Sequence, residues 1–323
     1  PPLRELEEGI EAGSARPDAR ICVRHRLLRL VTPHPGVHGE HARRTGQGAA
    51  ACGATRRGVF LRLNLRSMEL RNKVIVVTGA ARGIGEAMAR RFAREDPAGL
   101  VISDIDVDAL EKVASDIGAF AVAADVSKER DTVALIDAAE DRFGPVDLFC
   151  ANAGIGIRGD EQTLDEEWQR LWEVNVMSHV YAARRLVPEW RARGEGYFLP
   201  TVSAAGLLTN LKAAQYSVTK HAALAFAEWL AVTYGDEGIK VSALCPQGVR
   251  TRLLDAAEEF RTLLESVAVE PEDVAEAVVQ GIADERFLIL PHPEVTQYFQ
   301  NKANDYDRWL GGMRKLQRNL FGA

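Results

Sequence analysis

Tyr216 and Lys220 stand four residues apart in the stretch Tyr216-Ser217-Val218-Thr219-Lys220, and Ser203 lies 13 residues before the tyrosine. The apolar spacing around the pair predicts a helix near residues 213–235. Positions four apart share one helix face, so the Lys220 ammonium can sit near the Tyr216 phenol. A free tyrosine titrates near about 10, and a neighbouring ammonium favours the tyrosinate. A phenol so placed can exchange a proton with an alcohol hydroxyl without a metal. Taken singly, a helical tyrosine is a packing residue and a helical lysine a solvated charge. Only their joint placement argues for chemistry.

The elements that must position them alternate. Val74–Thr78, Leu100–Ser103, Phe120–Ala124, Leu148–Ala151, Tyr197–Val202, Val241–Cys245 and Phe287–Leu290 read as seven short apolar strands. Amphipathic helices are predicted over Glu86–Glu95 and Asp108–Ile117, and near 127–143, 164–192, 213–235 and 271–284. Such alternation implies an α/β fold, a doubly wound and mostly parallel seven-stranded sheet with helices on both faces and right-handed crossovers. No internal repeat or low-complexity linker interrupts residues 68–323.

Between the first strand and its helix lies Thr78-Gly79-Ala80-Ala81-Arg82-Gly83-Ile84-Gly85. Glycines at a strand-to-helix turn let the backbone approach a pyrophosphate at the positive helix N-terminus. The spacing Gly-x-x-x-Gly-x-Gly departs from Gly-x-Gly-x-x-Gly. Asp104, 19 residues beyond Gly85, ends the second strand, where a carboxylate accepts hydrogen bonds from ribose hydroxyls and repels a 2′-phosphate. Arg82 pulls the other way, because a guanidinium beside the turn could pair with that phosphate. The acid at the ribose edge is the harder obstacle, so NAD is expected, with NADP as the alternative.

Taken together, these motifs resemble the short-chain dehydrogenase/reductase family in its single-domain form of about 250 residues, a Rossmann fold. The likeness covers about residues 70–290. Asp125-Val126 follows the third strand, Asn152-Ala153-Gly154 the fourth, Asn175 lies in Glu173-Val174-Asn175-Val176, and Ser203 closes the fifth. The resemblance implies that Gly79, Arg82, Gly83, Ile84, Gly85, Asp104, Asp125, Val126, Asn152, Ala153 and Gly154 hold the dinucleotide, Asp125 on the adenine side. It further implies that Tyr216 exchanges the hydroxyl proton and Ser203 stabilises charge on the substrate oxygen. Lys220 binds the nicotinamide ribose and, with the positive nicotinamide ring, lowers the Tyr216 pKa. Asn175 keeps a kink and a water chain in its helix.

After the sixth strand the family pattern is Pro-Gly-x-Val-x-Thr, whereas this chain has Pro246-Gln247-Gly248-Val249-Arg250-Thr251. Pro246, Val249 and Thr251 keep their places and are expected to close over the nicotinamide amide. Gln247 replaces the glycine and either touches substrate or bridges water. The pocket is expected to be lined by Ile155, Gly156 and Ile157, by Ala204–Leu208, and by a lid over 252–267. Leu207, Leu208, Leu253 and Leu254 make it apolar, which suits a hydrophobic secondary alcohol or ketone. The expected activity is reversible hydride transfer between NAD and such a substrate; a non-catalytic dinucleotide sensor is the reading from another class. Residues 291–323 carry Tyr298, Phe299, Tyr306, Trp309 and Leu310, too aromatic for a free tail, and are expected to form a subunit interface or cap the pocket. A homodimer or homotetramer is expected, in the cytoplasm.

Composition bounds the rest. The 323 residues carry a net charge of -6 and are 46% hydrophobic. No stretch approaches a membrane span, and an acidic balance disfavours nucleic acid as partner. Cys22, Cys52, Cys150 and Cys245 have no paired short spacing, so neither a zinc site nor a disulfide framework is expected. Cys150 and Cys245 read as buried inert thiols, and His179 and His221 as core or interface residues.

The charge average conceals a seam. Residues 1–67 hold 12 Arg, no Lys and 6 acidic residues, leaving 28 basic against 40 acidic residues in the remainder. The first Met is Met68, and no sustained period of 2 or 3.6 precedes it. The expectation is that Met68 is the natural start and that 1–67 is leader or over-extended reading frame. A transit segment, which Glu5, Glu7, Glu8 and Glu11 disfavour, and a regulatory or nucleic-acid-binding arm are the other readings. Counted from Met68, 256 residues suit one catalytic domain plus a short tail.

Overall fold

The computed structural model describes residues 68–255 and 267–322. The expectations placed on 1–67, and on the stretch 256–266 of the lid, lie outside the described residues.

A β-branched run makes β1 (Val74–Thr78), buried along its whole length. Beside it lie β2 (Gly99–Asp104), β3 (Phe120–Ala123), β4 (Leu148–Ala151), β5 (Gly196–Pro200) and β6 (Ile239–Val241). They form one sheet in the order β3-β2-β1-β4-β5-β6, and every pairing is parallel. The connecting helices are α1 (Gly83–Phe92), α2 (Val107–Ile117), α3 (Glu129–Phe143), α4 (Asp165–Trp172), α5 (Ser178–Arg193), α6 (Ala214–Tyr234) and α7 (Pro271–Ala283).

Alternation along β1 divides the core. Val74 and Val76 pack with Leu135, Ile136, Leu186 and Ala223 from α3, α5 and α6. Ile75 and Val77 pack on the other face with Met88, Phe92, Leu110 and Val278 from α1, α2 and α7. Both faces of the sheet are therefore dry, which is why its strands read as continuous apolar runs.

The sheet has six strands rather than the seven expected. Ser242 is the reason. Its N–H still donates to Phe198 in β5 at 3.1 Å, but the next N–H, from Ala243, turns to Phe287. The Ser242 hydroxyl donates to the Arg286 carbonyl and pairs with the Tyr197 hydroxyl at 2.6 Å. The expected Val241–Cys245 strand is thereby cut, and its remainder, β7 (Ala243–Leu244), forms a separate parallel pair with β8 (Leu288–Ile289).

Two further helices, α8 (Glu294–Asn304) and α9 (Tyr306–Phe321), follow. They pack on their own chain. Val295 enters the core and Trp309 packs against it. The buried Lys302 ammonium donates to the Leu207 and Leu208 carbonyls, each at 2.8 Å. No helix among the described residues is long and apolar enough to cross a membrane.

Candidate active site

The chain order reverses between β1 and β4, and a crevice opens at the carboxyl ends of those strands. Gly79 leaves β1 and Asn152 leaves β4 at that point. The Thr78 hydroxyl accepts from the Asn152 and Ala153 N–H groups at 3.0 and 3.1 Å. The Asn152 amide donates to the Thr78 and Gly79 carbonyls, and its Oδ1 accepts from the Thr201 hydroxyl at 2.9 Å. One asparagine thus ties the ends of β1, β4 and β5.

The glycines are required by contact. Gly79 has φ +66°, and a Cβ there would lie 2.7 Å from Ala153 Cα. A Cβ on Gly85 would lie 2.1 Å from the Gly79 carbonyl oxygen. Arg82 occupies the N-cap of α1 without a side-chain cap, so the first-turn N–H groups around Gly83, Ile84 and Gly85 are left for an anionic ligand. The cradle fits a pyrophosphate.

At the ribose edge, the Asp104 carboxylate accepts from the Ala81 N–H at 3.0 Å and from the Asp106 N–H at 3.1 Å. Arg82 forms an ion pair with Asp106. Asp106 also accepts from Ala109 at the start of α2, and that backbone bond, followed by Arg82, holds its carboxyl below the usual range. Asp125 follows β3, its carboxylate accepting from the Ser127 N–H at 3.0 Å, and Val126 is buried.

Four expected residues converge where β5, α5 and α6 meet. Ser203 follows β5 and caps the turn Ala204–Leu207 through a bond from the Ala205 N–H. Its hydroxyl stands close enough to the Tyr216 phenol to favour the charged form. Lys220 is buried, donates to the Thr201 carbonyl at 3.0 Å, and lies 5.7 Å from the centre of the Tyr216 ring. Asn175 sits in a π-helical turn, Glu173–Met177, between α4 and α5. Its amide donates to the Ile155 carbonyl at 2.9 Å and its Oδ1 accepts from the Ile155 N–H at 3.0 Å. Such an insertion in a helix re-aims one side chain, and here it aims Asn175 at the segment after Gly154. Asn175 Oδ1 and Lys220 Nζ both face the Gly154 Cα.

Electrostatics in the free protein run against the expectation of a lowered tyrosine. Burial pushes the Tyr216 phenol up, and the nearby Ser203 hydroxyl only partly opposes it. Burial pulls the Lys220 ammonium down, to about 8. The ammonium is directed at the Thr201 carbonyl rather than at the phenol oxygen, which is why it does not bring the tyrosine toward neutrality by itself.

The loop Pro246–Thr251 spans the crevice. The Pro246 carbonyl accepts from Ala204, next to Ser203, at 2.8 Å. A Cβ on Gly83 would lie 3.2 Å from Thr251 Cγ2, so the far end of the loop reaches the glycine turn. Val249 is buried beneath it, and the Gln247 Oε1 is buried with no hydrogen-bond partner among the described residues. Of the four expected pocket leucines, Leu207, Leu208 and Leu254 are buried, the first two within the core. Leu253 remains 47% exposed; a Cβ on Gly156 would meet it at 2.8 Å and Tyr216 Cδ2 at 3.8 Å. The apolar wall beside the tyrosine is therefore Leu253 and Gly156.

Cys150 and Cys245 are free and buried, and burial pushes both thiols up, Cys245 to about 12. His179 is buried, which lowers it to about 3, and His221 is bonded through Nδ1 to the Ser217 carbonyl at 2.8 Å. Sequence reasoning missed Thr78, Asp106, Thr201 and Lys302. The hydroxyls stood next to recognised motif residues; Asp106 and Lys302 gave no signal, because their partners lie 24 and 95 residues away.

Residues 73–262 match the family model described as short chain dehydrogenase. The chain is 34% identical over 247 residues to a 1-deoxy-11-beta-hydroxypentalenate dehydrogenase of Streptomyces exfoliatus, covering 74% of this chain and 90% of the relative. Among solved structures it is similar to a short-chain dehydrogenase/reductase from Burkholderia phymatum in complex with NAD, with TM-score 0.70, 30% identity, and coverage of 74% and 96% of the two chains. It is also similar to the L-sorbose reductase of Gluconobacter frateurii complexed with NADPH and L-sorbose, with TM-score 0.63, 27% identity, and coverage of 69% and 96%. The chain belongs to the short-chain dehydrogenase family and is an NAD(P)-dependent oxidoreductase.

Proposed function

We propose that this chain interconverts a hydrophobic secondary alcohol and its ketone with NAD. The convergence of Ser203, Tyr216, Lys220 and Asn175 opposite the glycine turn carries this reading. The Ser203 hydroxyl holds the substrate oxygen and stabilises the negative charge that develops on it. The Tyr216 phenol, beside Ser203, takes the hydroxyl proton during oxidation and returns it during reduction. When bound, the nicotinamide dinucleotide supplies the hydride acceptor or donor for the carbinol carbon. Lys220 and Asn175, both facing Gly154, hold the ribose side of the site and the proton path.

The preference for NAD rests on the ribose edge. Two carboxylates, Asp104 and Asp106, stand there, and the guanidinium beside the glycine turn, Arg82, is paired with Asp106, whose charge also faces Arg252. The apolar contact of Leu253 with Gly156 beside Tyr216 supports a hydrophobic substrate. The named relative is a dehydrogenase of a hydroxypentalenate, a hydroxyl-bearing substrate.

A panel of cyclic and acyclic secondary alcohols and ketones, read through absorbance of the reduced nicotinamide with each nucleotide, tests this. Tyr216→Phe is expected to lower kcat by about 10²–10⁴-fold. Full activity in that variant would sink the assignment.

We also propose a homo-oligomer. Trp229 and Val232 on α6 are 53% and 87% exposed, and the first lines an apolar groove with Val187 and Phe226. Light scattering of the parent and of Val232→Glu is expected to show a dimer or tetramer in the parent and a smaller species in the variant.

A further inference from the structure

Gln247 stands where the family pattern has glycine, and something must hold this altered loop in place. His292 does so. It lies between Pro291 and Pro293, just past β8, and is only 2% exposed. The β7–β8 pairing, extended by the Cys245 N–H bond to Ile289 at 2.9 Å, runs these two segments side by side. His292 Nδ1 accepts from the Gln247 N–H at 3.1 Å. Its Nε2 lies 2.9 Å from the Gly248 carbonyl oxygen. A ring whose Nδ1 accepts and whose Nε2 donates is the neutral Nε2–H tautomer, with both nitrogens used.

The imidazole is a rigid spacer between a donor and an acceptor of one loop. Pro293 restricts the His292 backbone to the extended region, Pro291 fixes φ just before it, and the Val295 N–H bond to the His292 carbonyl at 3.1 Å ties it to α8. The loop it grips runs from the neighbour of Ser203 to the glycine turn, through the Ala204–Pro246 and Gly83–Thr251 contacts. Anything that shifts Gln247 and Gly248 shifts the wall between the reacting end of the crevice and the nucleotide cradle.

We propose that His292 is a positioning residue for hydride transfer: by clamping Gln247 and Gly248 it sets the nicotinamide end of the dinucleotide against Ser203 and Tyr216, without touching either reactant. This rests on the dehydrogenase reading above. The geometric tolerance of such steps is small, and a misplacement of about 1 Å costs on the order of 100-fold in rate.

The test compares the full chain with His292→Phe, which keeps an aromatic ring but no hydrogen bonds, and His292→Gln, which keeps one donor and one acceptor on a flexible arm. Three quantities are read: amide hydrogen exchange of 246–251 in the free protein, affinity for ADP-ribose, and kcat with its deuterium isotope effect. In His292→Phe the Gln247 amide is expected to exchange faster and kcat to fall by about 10–100-fold. The isotope effect should rise as hydride transfer limits turnover, while ADP-ribose affinity stays within twofold, about, of the parent. His292→Gln should recover part of the rate.

Unchanged exchange, or faster exchange with kcat and isotope effect unaltered, overturns the inference while the dehydrogenase reading stands. An ADP-ribose affinity that falls as far as kcat does also overturns it, since that marks general loosening of the fold. A parent chain that turns over no alcohol or ketone with either nucleotide overturns the dehydrogenase reading, and this inference with it.

Discussion

The Lys220 ammonium donates to the Thr201 carbonyl at 3.0 Å, at the carboxyl end of β5, and not to the phenol of Tyr216 four residues before it. Lys220 is buried and Tyr216 half-buried, and the ammonium rests 5.7 Å from the centre of the tyrosine ring. Helical spacing brought the two together, but the sheet end took the proton donor. The consequences for charge are opposite in sign for the two groups.

Burial disfavours the Lys220 charge and pulls its pKa down from the ordinary 10.5 to about 8 in the fold. Between those values the unfolded chain binds the extra proton, so this group's contribution to stability rises with pH. Below about 8 both states are charged and the fold carries the whole desolvation cost. The stability of the parent relative to Lys220→Met should therefore rise by on the order of 3 kcal/mol between pH 8 and 10.5. Urea unfolding of both proteins at several pH values measures it; a flat difference contradicts the buried charge.

Tyr216 is raised by burial, so the free protein holds a neutral phenol at pH 7. A phenol in that state is ready to give a proton and must lose one before it can take one. Ketone reduction is expected to be flat through neutrality and to fall at alkaline pH. Alcohol oxidation should climb with pH over the same range. Steady-state kcat/KM profiles in both directions check this, and Tyr216→Phe should remove both slopes along with the activity.

Asp106 keeps Arg82 from other anions. Asp106→Ala frees the guanidinium beside the glycine turn, where a 2′-phosphate can meet it. One charge-assisted hydrogen bond contributes about 1.5–3 kcal/mol, so the NADPH/NADH ratio of kcat/KM should rise by about tenfold or more. The matching variant, Asp104→Ala, removes the acceptor for the Ala81 N–H and should chiefly weaken NADH. Ratios unchanged in both would show that neither acid reads the ribose.

Lys302 joins α8 to the turn that follows Ser203, through the Leu207 and Leu208 carbonyls. Lys302→Met leaves the Leu207 carbonyl without this donor and the Leu208 carbonyl with the Thr209 hydroxyl alone, at a cost of about 1–3 kcal/mol. A fall in Tm of several degrees is expected from calorimetry, with a raised KM for ketone if the loosened turn displaces Ser203. An unaltered Tm means the carbonyls find other donors.

Much of this architecture was legible because local pattern and burial coincide. β1 and β4 fall where apolar runs end at Thr78 and Ala151, since a strand buried on both faces has no polar positions to blur its limits. Gly79, Asn152, Ser203, Tyr216 and Lys220 are likewise positioned by elements close to them in the chain. Ser242 was not legible as a break, because a serine in an apolar run betrays nothing of the hydroxyl of Tyr197 or the carbonyl of Arg286 that capture it.

The sequence alone determined the alternating strands and helices, the glycine turn and the Tyr-x-x-x-Lys spacing, all of which follow from short-range geometry. Tertiary structure decided which partners the charged and polar groups chose: Lys220 with Thr201, Arg82 with Asp106, Lys302 with the turn after Ser203, and His292 with the Gln247 loop. Hydrogen bonds and desolvation act over a few ångströms in space, and the groups that meet there are separated by 19 to 95 residues of chain.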